Sequence, residues 1–152
     1  MVHLGTGAGA CARTPVGRGQ GLVVDFALQT IYATNFTFRG DTTYYVSGTV
    51  NLSGMTTIEG GAVIKYGASG PPKVVCLGDI VCNTAAFCPA VFTSKDDDTV
   101  GETITGSTGS PYASDYANPA IEVRVSGSRL HDLRLAHAST GLKFSDSSAG
   151  NH

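Results

Sequence analysis

Four short apolar segments, each led in by a small residue or proline, recur along this chain and constrain its fold more than any other feature. They read Gly61-Ala62-Val63-Ile64-Lys65-Tyr66, Pro89-Ala90-Val91-Phe92-Thr93-Ser94, Pro119-Ala120-Ile121-Glu122-Val123-Arg124 and Thr140-Gly141-Leu142-Lys143-Phe144-Ser145. Ala62 and Ala90 lie 28 residues apart, Ala90 and Ala120 lie 30 apart, and Ala120 and Gly141 lie 21 apart. Self-similarity at roughly 20 to 50 residues marks a solenoid, whose coils bury apolar side chains against their neighbours. A second match runs alongside. Tyr45-Val46-Ser47-Gly48-Thr49 leads to Val63-Ile64-Lys65-Tyr66, and Arg124-Val125-Ser126-Gly127-Ser128 leads to Leu142-Lys143-Phe144. Inside these blocks apolar and polar residues alternate, as in Leu133 and Leu135, which is the period of a half-buried strand. The pattern predicts Val63, Val91, Ile121 and Leu142 stacked in one register.

Composition agrees with strands. Charged residues make up 14% of the 152-residue chain, against roughly 25% in ordinary domains. Long surface helices need Lys, Glu and Gln on their outer face, whereas 20 glycines with abundant Ser and Thr suit short strands and turns. The best helix candidate, Asp25–Tyr32, reads equally well as a strand. A net charge of −2 offers no electrostatic footprint for nucleic acid. No run of about 18 apolar residues is present to insert into a membrane. Residues 1–20 are expected to be a flexible leader, residues 21–152 a single domain, and residues 95–118, rich in Gly, Ser, Thr and Asp, a long loop excursion from one coil. Cys76, Cys82 and Cys88 are spaced too widely for a zinc ribbon, and the short loops favour a Cys76–Cys82 or Cys82–Cys88 disulfide.

The passage GDTTYYVSGTVNLSGMTTIEGGAVIKY, with PAVFTSKDDDTVGETITGSTGSP after it, resembles the right-handed parallel β-helix segments of large bacterial secreted or surface proteins. The resemblance spans roughly residues 36–145. It implies an all-β, right-handed parallel β-helix of the pectate-lyase-like superfamily and an extracellular or cell-surface location. That family includes enzymes acting on polysaccharides as well as passive stalks and adhesins. The chain stops at His152, where a further coil would begin, with no polar cap after Phe144. This favours a fragment of a longer solenoid that self-associates as a homo-oligomer.

The most polar stretch, Lys95-Asp96-Asp97-Asp98, follows a strand, where β-helix enzymes hold their chemistry. Three readings stay open. Lys95, Asp97 and Asp98 are catalytic candidates, since two separated carboxyl groups can divide into acid and base. Asp96, Asp98 and Glu102 are candidate Ca²⁺ ligands; no cofactor is otherwise required. The preferred reading is a solvated turn whose Asp side chains bond local N–H groups. Of the polygalacturonase-like elements, the Asp-Asp pair alone has a counterpart, and Asn83-Thr84 is followed by Ala85. His131 and His137, six residues apart, join the catalytic candidates and face one way if their strand alternates evenly. Tyr112 and Tyr116 are candidate stacking faces for a polysaccharide or glycan. The function expected is a non-catalytic scaffold or carbohydrate-contacting segment, with a hydrolase or lyase on polysaccharide or ester substrates as the competing class.

Overall fold

The computed structural model describes residues 23–24, 31–112 and 116–145. The expected leader and Asp25–Thr30 lie outside these residues. The described residues form thirteen strands and no helix. Three strands form the first coil: β1 (Val23–Val24), β2 (Ile31–Thr34) and β3 (Thr37–Phe38). The second contains β4 (Thr43–Val46), β5 (Thr49–Ser53) and β6 (Thr56–Glu59), and the third β7 (Val63–Tyr66), β8 (Lys73–Cys76) and β9 (Ile80–Asn83). The fourth keeps β10 (Ala90–Ser94) and β11 (Ile121–Val123), and the last β12 (Leu133–Leu135) and β13 (Leu142–Phe144).

Each strand pairs in parallel with its equivalent one coil away. Sheet A runs β1-β4-β7-β10-β12, sheet B runs β2-β5-β8-β11-β13, and sheet C runs β3-β6-β9. The fold is a parallel β-solenoid of about four turns. A chain that always turns the same way around a core can pair only in parallel, because each coil returns to a sheet in the direction of the last.

Alternation decides which side chains enter the core. In β5, Val50 and Leu52 are buried, while Thr49, Asn51 and Ser53 face outward. Register then stacks like on like. Tyr44, Ile64 and Phe92 share one rung of sheet A, and Val50, Val74 and Ile121 share one rung of sheet B. Phe36, Phe38 and Tyr44 meet edge to face, with ring centroids 4.9 to 5.9 Å apart, and fill the first two coils. The corners are packed backbone on backbone. A Cβ on Gly60 would collide with the carbonyl oxygen of Cys88, and one on Gly78 with that of Gly54, so only glycine lets successive coils close to strand spacing there.

Two expectations need correction. Val63 pairs with Val91 in sheet A, but Ile121 pairs with Leu142 in sheet B, so the four residues form two stacks. The matched blocks are out of phase for the same reason. Val63–Tyr66 belongs to sheet A, whereas Leu142–Phe144 belongs to sheet B. A solenoid coil contains several similar strands, and an apolar-Lys-aromatic segment suits any of them. The cysteines also differ from expectation. Cys88 is disulfide-bonded, but Cys76 and Cys82 are free, so neither short-loop pairing forms. Burial pushes the Cys76 thiol up to about 12, which keeps it a small apolar core residue.

Candidate functional site

Residues 95–120 connect β10 to β11, and their first part, hereafter the strap, lies against the outer face of sheet A. That face consists of the outward side chains of β4, β7 and β10. Thr43, Lys65 and Thr93 are buried there, although alternation points them away from the core. Each holds the strap. The Lys65 Nζ donates to the carbonyl oxygens of Asp97 and Glu102, at 2.8 and 2.6 Å. The Thr43 hydroxyl accepts from the Glu102 N–H at 3.0 Å, and the Thr93 hydroxyl donates to the Asp97 carboxylate at 2.8 Å. Ile104 adds a buried apolar anchor.

The acids are turned inward. Asp96 accepts from the Lys95 ammonium (2.7 Å), the Thr108 N–H (2.6 Å) and the Tyr116 hydroxyl (2.7 Å). Burial by itself would raise the Asp96 carboxyl, but these bonds outweigh it and hold the group down to about 2. Asp97 accepts from the Thr99 N–H and hydroxyl as well as from Thr93. Its carboxyl is also lowered, against burial, by those bonds and by the nearby His137. Burial lowers the Lys65 ammonium, and the charges of Asp98, Asp97 and Glu102 oppose that shift without reversing it.

The solvated-turn reading therefore needs correction at two positions. Asp96 and Asp97 are buried, and Asp98 alone of the three is exposed. The local bonding expected of an Asp turn is present at Asp97, whose carboxylate caps Thr99 two residues on. The Ca²⁺ set does not assemble. Asp98 accepts from the Ser107 hydroxyl, Asp96 is committed elsewhere, and among the described residues no three acidic, His or Cys side chains converge on one point. Lys95 bridges Asp96 and the Gly106 carbonyl and serves as a strap clasp.

The histidines do not share a strand face. His131 precedes β12 and His137 follows it, and both Asp132 and His137 have positive φ, which breaks the even alternation. His131 contacts the Asp132 carboxylate at 3.0 Å and the Thr84 hydroxyl at 3.3 Å, while His137 lies on the Asp97 side. The tyrosines divide as well. Tyr116 is buried with its hydroxyl on Asp96, so it offers no face to a sugar, whereas Tyr112 is 70% exposed. Tyr44 and Tyr66 are core residues.

Three residues were missed in the sequence. Lys65 was visible as a lone charge in an apolar strand, and its burial depends on a partner loop some 30 residues downstream. Glu122 is buried on sheet B, where Lys73 (2.9 Å) and Arg124 (2.7 Å) bind its carboxylate. Burial pushes the Glu122 carboxyl up, but the two cations bring it down to about 2. Tyr32 stands 76% exposed on β2.

The fold and this internally bonded strap define a parallel β-solenoid protein. No family model matches the chain, and neither a curated protein nor a solved structure matches it. The pectate-lyase-like resemblance thus extends as far as the parallel β-helix architecture.

Proposed function

We propose that this chain is a non-catalytic β-helix scaffold or carbohydrate-contacting segment of a larger secreted or surface protein. One observation carries the reading. Of the two carboxylates that hydrolase or lyase chemistry would use, Asp97 is buried and occupied by bonds that seat the strap, as is its neighbour Asp96. A general acid or base must reach a substrate proton within hydrogen-bond distance. Asp98 is exposed, but a single carboxylate with Ser107 as partner lacks the second group that glycoside cleavage needs. The disulfide-bonded Cys88 supports an oxidising compartment such as the cell exterior.

Incubation with polysaccharide and ester substrates, read as released reducing ends or acids, is expected to give no turnover. Turnover that disappears in Asp98→Ala, a variant at an exposed position, would establish the enzymatic reading instead.

Self-association belongs to the same proposal. On β12 and β13, the last strands of sheets A and B among the described residues, Leu133, Leu135 and Leu142 are half-buried and Phe144 is 64% exposed. Strand edges combined with apolar rungs favour pairing with another chain. Light scattering is expected to give a multiple of 15.6 kDa at high micromolar concentration; the monomer mass would remove this part.

A further inference from the structure

Alternation sends Tyr32 and Thr34 of β2, and Thr49, Asn51 and Ser53 of β5, to the outside of sheet B. Tyr32 sits in register beside Asn51, and Thr34 beside Ser53, whose hydroxyls are 2.8 Å apart. None of these five side chains carries a charge. The nearest cation in register, Lys73 beside Thr49, is bound to Glu122. An exposed phenol ring on a flat strand face gains nothing from folding, since its apolar surface stays in water.

We propose that Tyr32, Thr34, Asn51 and Ser53 form a binding platform for an uncharged glycan chain. A pyranose has one face of C–H groups and a rim of hydroxyls. The Tyr32 ring supplies an amphipathic surface for that face. The Asn51 amide offers two donors and an acceptor to the rim. The bonded hydroxyl pair of Thr34 and Ser53, in which Ser53 also donates to the Ala33 carbonyl at 3.3 Å, offers its remaining lone pairs as acceptors. Parallel pairing places the backbones of Tyr32 and Asn51 on adjacent rungs about 4.8 Å apart, within the span of one sugar. The absence of charge selects a neutral polymer over a uronate. The platform lies on a different sheet from the strap, so binding there leaves the strap network untouched. Because it names the site of carbohydrate contact, this inference rests on the function proposed above.

The test is affinity electrophoresis, followed by calorimetry, with glucomannan, xyloglucan and mixed-linkage β-glucan as neutral probes and polygalacturonate as the anionic one. Wild-type protein is expected to be retarded by a neutral polymer. Tyr32→Ala should weaken binding about tenfold, Tyr32→Phe should retain most of it, and Tyr112→Ala should leave it unchanged. Binding lost in Tyr112→Ala but kept in Tyr32→Ala would overturn the platform while leaving the carbohydrate-contact function standing. Preference for polygalacturonate would also overturn it. If none of the neutral polymers binds, the platform and the carbohydrate half of the proposed function fall together.

Discussion

The outer face of sheet A over the second to fourth coils and that of sheet B over the first two coils occupy corresponding strand positions, yet they ended in opposite states. Farther along sheet B the outward Val75 and Glu122 are buried. On sheet A the outward Thr43, Lys65 and Thr93 are buried under the strap, and every polar group named there is bonded within the chain. On sheet B the outward Tyr32 is open to solvent beside Asn51, with the uncharged pair Thr34 and Ser53 on the next outward register position. The strand pattern does not distinguish these faces, because both show polar residues alternating with apolar ones. What distinguishes them is whether another part of the chain returns to cover the outward residues. A covered face contributes to stability, and an open one is available to bind.

The sharpest way to break this contrast is to unseat the strap. Asp96→Ala strips three donors of their acceptor, and the buried Tyr116 hydroxyl cannot regain water where it lies. Urea unfolding should show a loss of about 3 kcal/mol, from the orphaned Tyr116 hydroxyl together with two lost charge-assisted bonds. A change below about 0.5 kcal/mol would mean that the strap is not a structural element.

Acid sharpens the same point. Asp96 falls from 3.8, and Glu122 from 4.5, to about 2 in each case. A carboxyl depressed in the folded state stabilises it above its unfolded pKa, and that contribution disappears as pH falls through the folded value. Stability should therefore decline from about pH 4.5 toward pH 2, by on the order of 2 kcal/mol for each group. Urea midpoints across this range check it, and Asp96→Asn should flatten part of the slope.

Removing one strap contact has a smaller effect. Thr93→Val keeps the shape and deletes the bond to Asp97, with an expected loss of about 1 kcal/mol in the same assay. Lys65 titrates with the opposite sense from the acids. Its folded pKa is lowered below 10.5, so the unfolded chain binds more protons just below that value. Stability should rise with pH through this window in wild-type protein relative to Lys65→Met. An equal pH dependence in the two proteins would remove Lys65 from the account.

The smallest effects belong to the open face and to cations. Tyr32→Ala should change the melting temperature by no more than about 1 °C, because the ring is largely exposed. Millimolar Ca²⁺ should likewise leave it unchanged, whereas a rise would show binding to the folded state by mass action.

The solenoid was legible in the sequence because its signal is local. Val50-Asn51-Leu52 and Val63-Ile64-Lys65-Tyr66 declare strands through alternation and apolar content alone. Phase was not legible. Spacing makes Ala120 one repeat on from Ala90, yet the two strands they lead into occupy different sheets of the same coil. Strands of different sheets face the same core and draw on the same residues, so spacing could not separate them. The acidic stretch was located correctly at a strand's exit, but its burial was not visible. Whether Asp96 is solvated depends on Tyr116, 20 residues away, folding back onto it. The roles of Lys65 and Glu122 were hidden for the same reason, since each is bound by groups distant in sequence.

The corners of the coils differ in what they can absorb. Where sheet B passes to sheet C, the connections are residues 35–36, 54–55 and 77–79, stacked so closely that Gly78 has no room for a side chain. From sheet A to sheet B they are residues 47–48, 67–72, 95–120 and 136–141. The A-to-B corner is therefore a port for insertion: chain added there leaves the stack of rungs undisturbed and falls across sheet A. A new segment grafted between Gly67 and Pro72 should be tolerated, and one between Gly54 and Met55 should not. Variation in a solenoid of this kind is channelled to one edge of the molecule, and the face beneath that edge is the one that can be covered, exposed or rebuilt without redesigning the core.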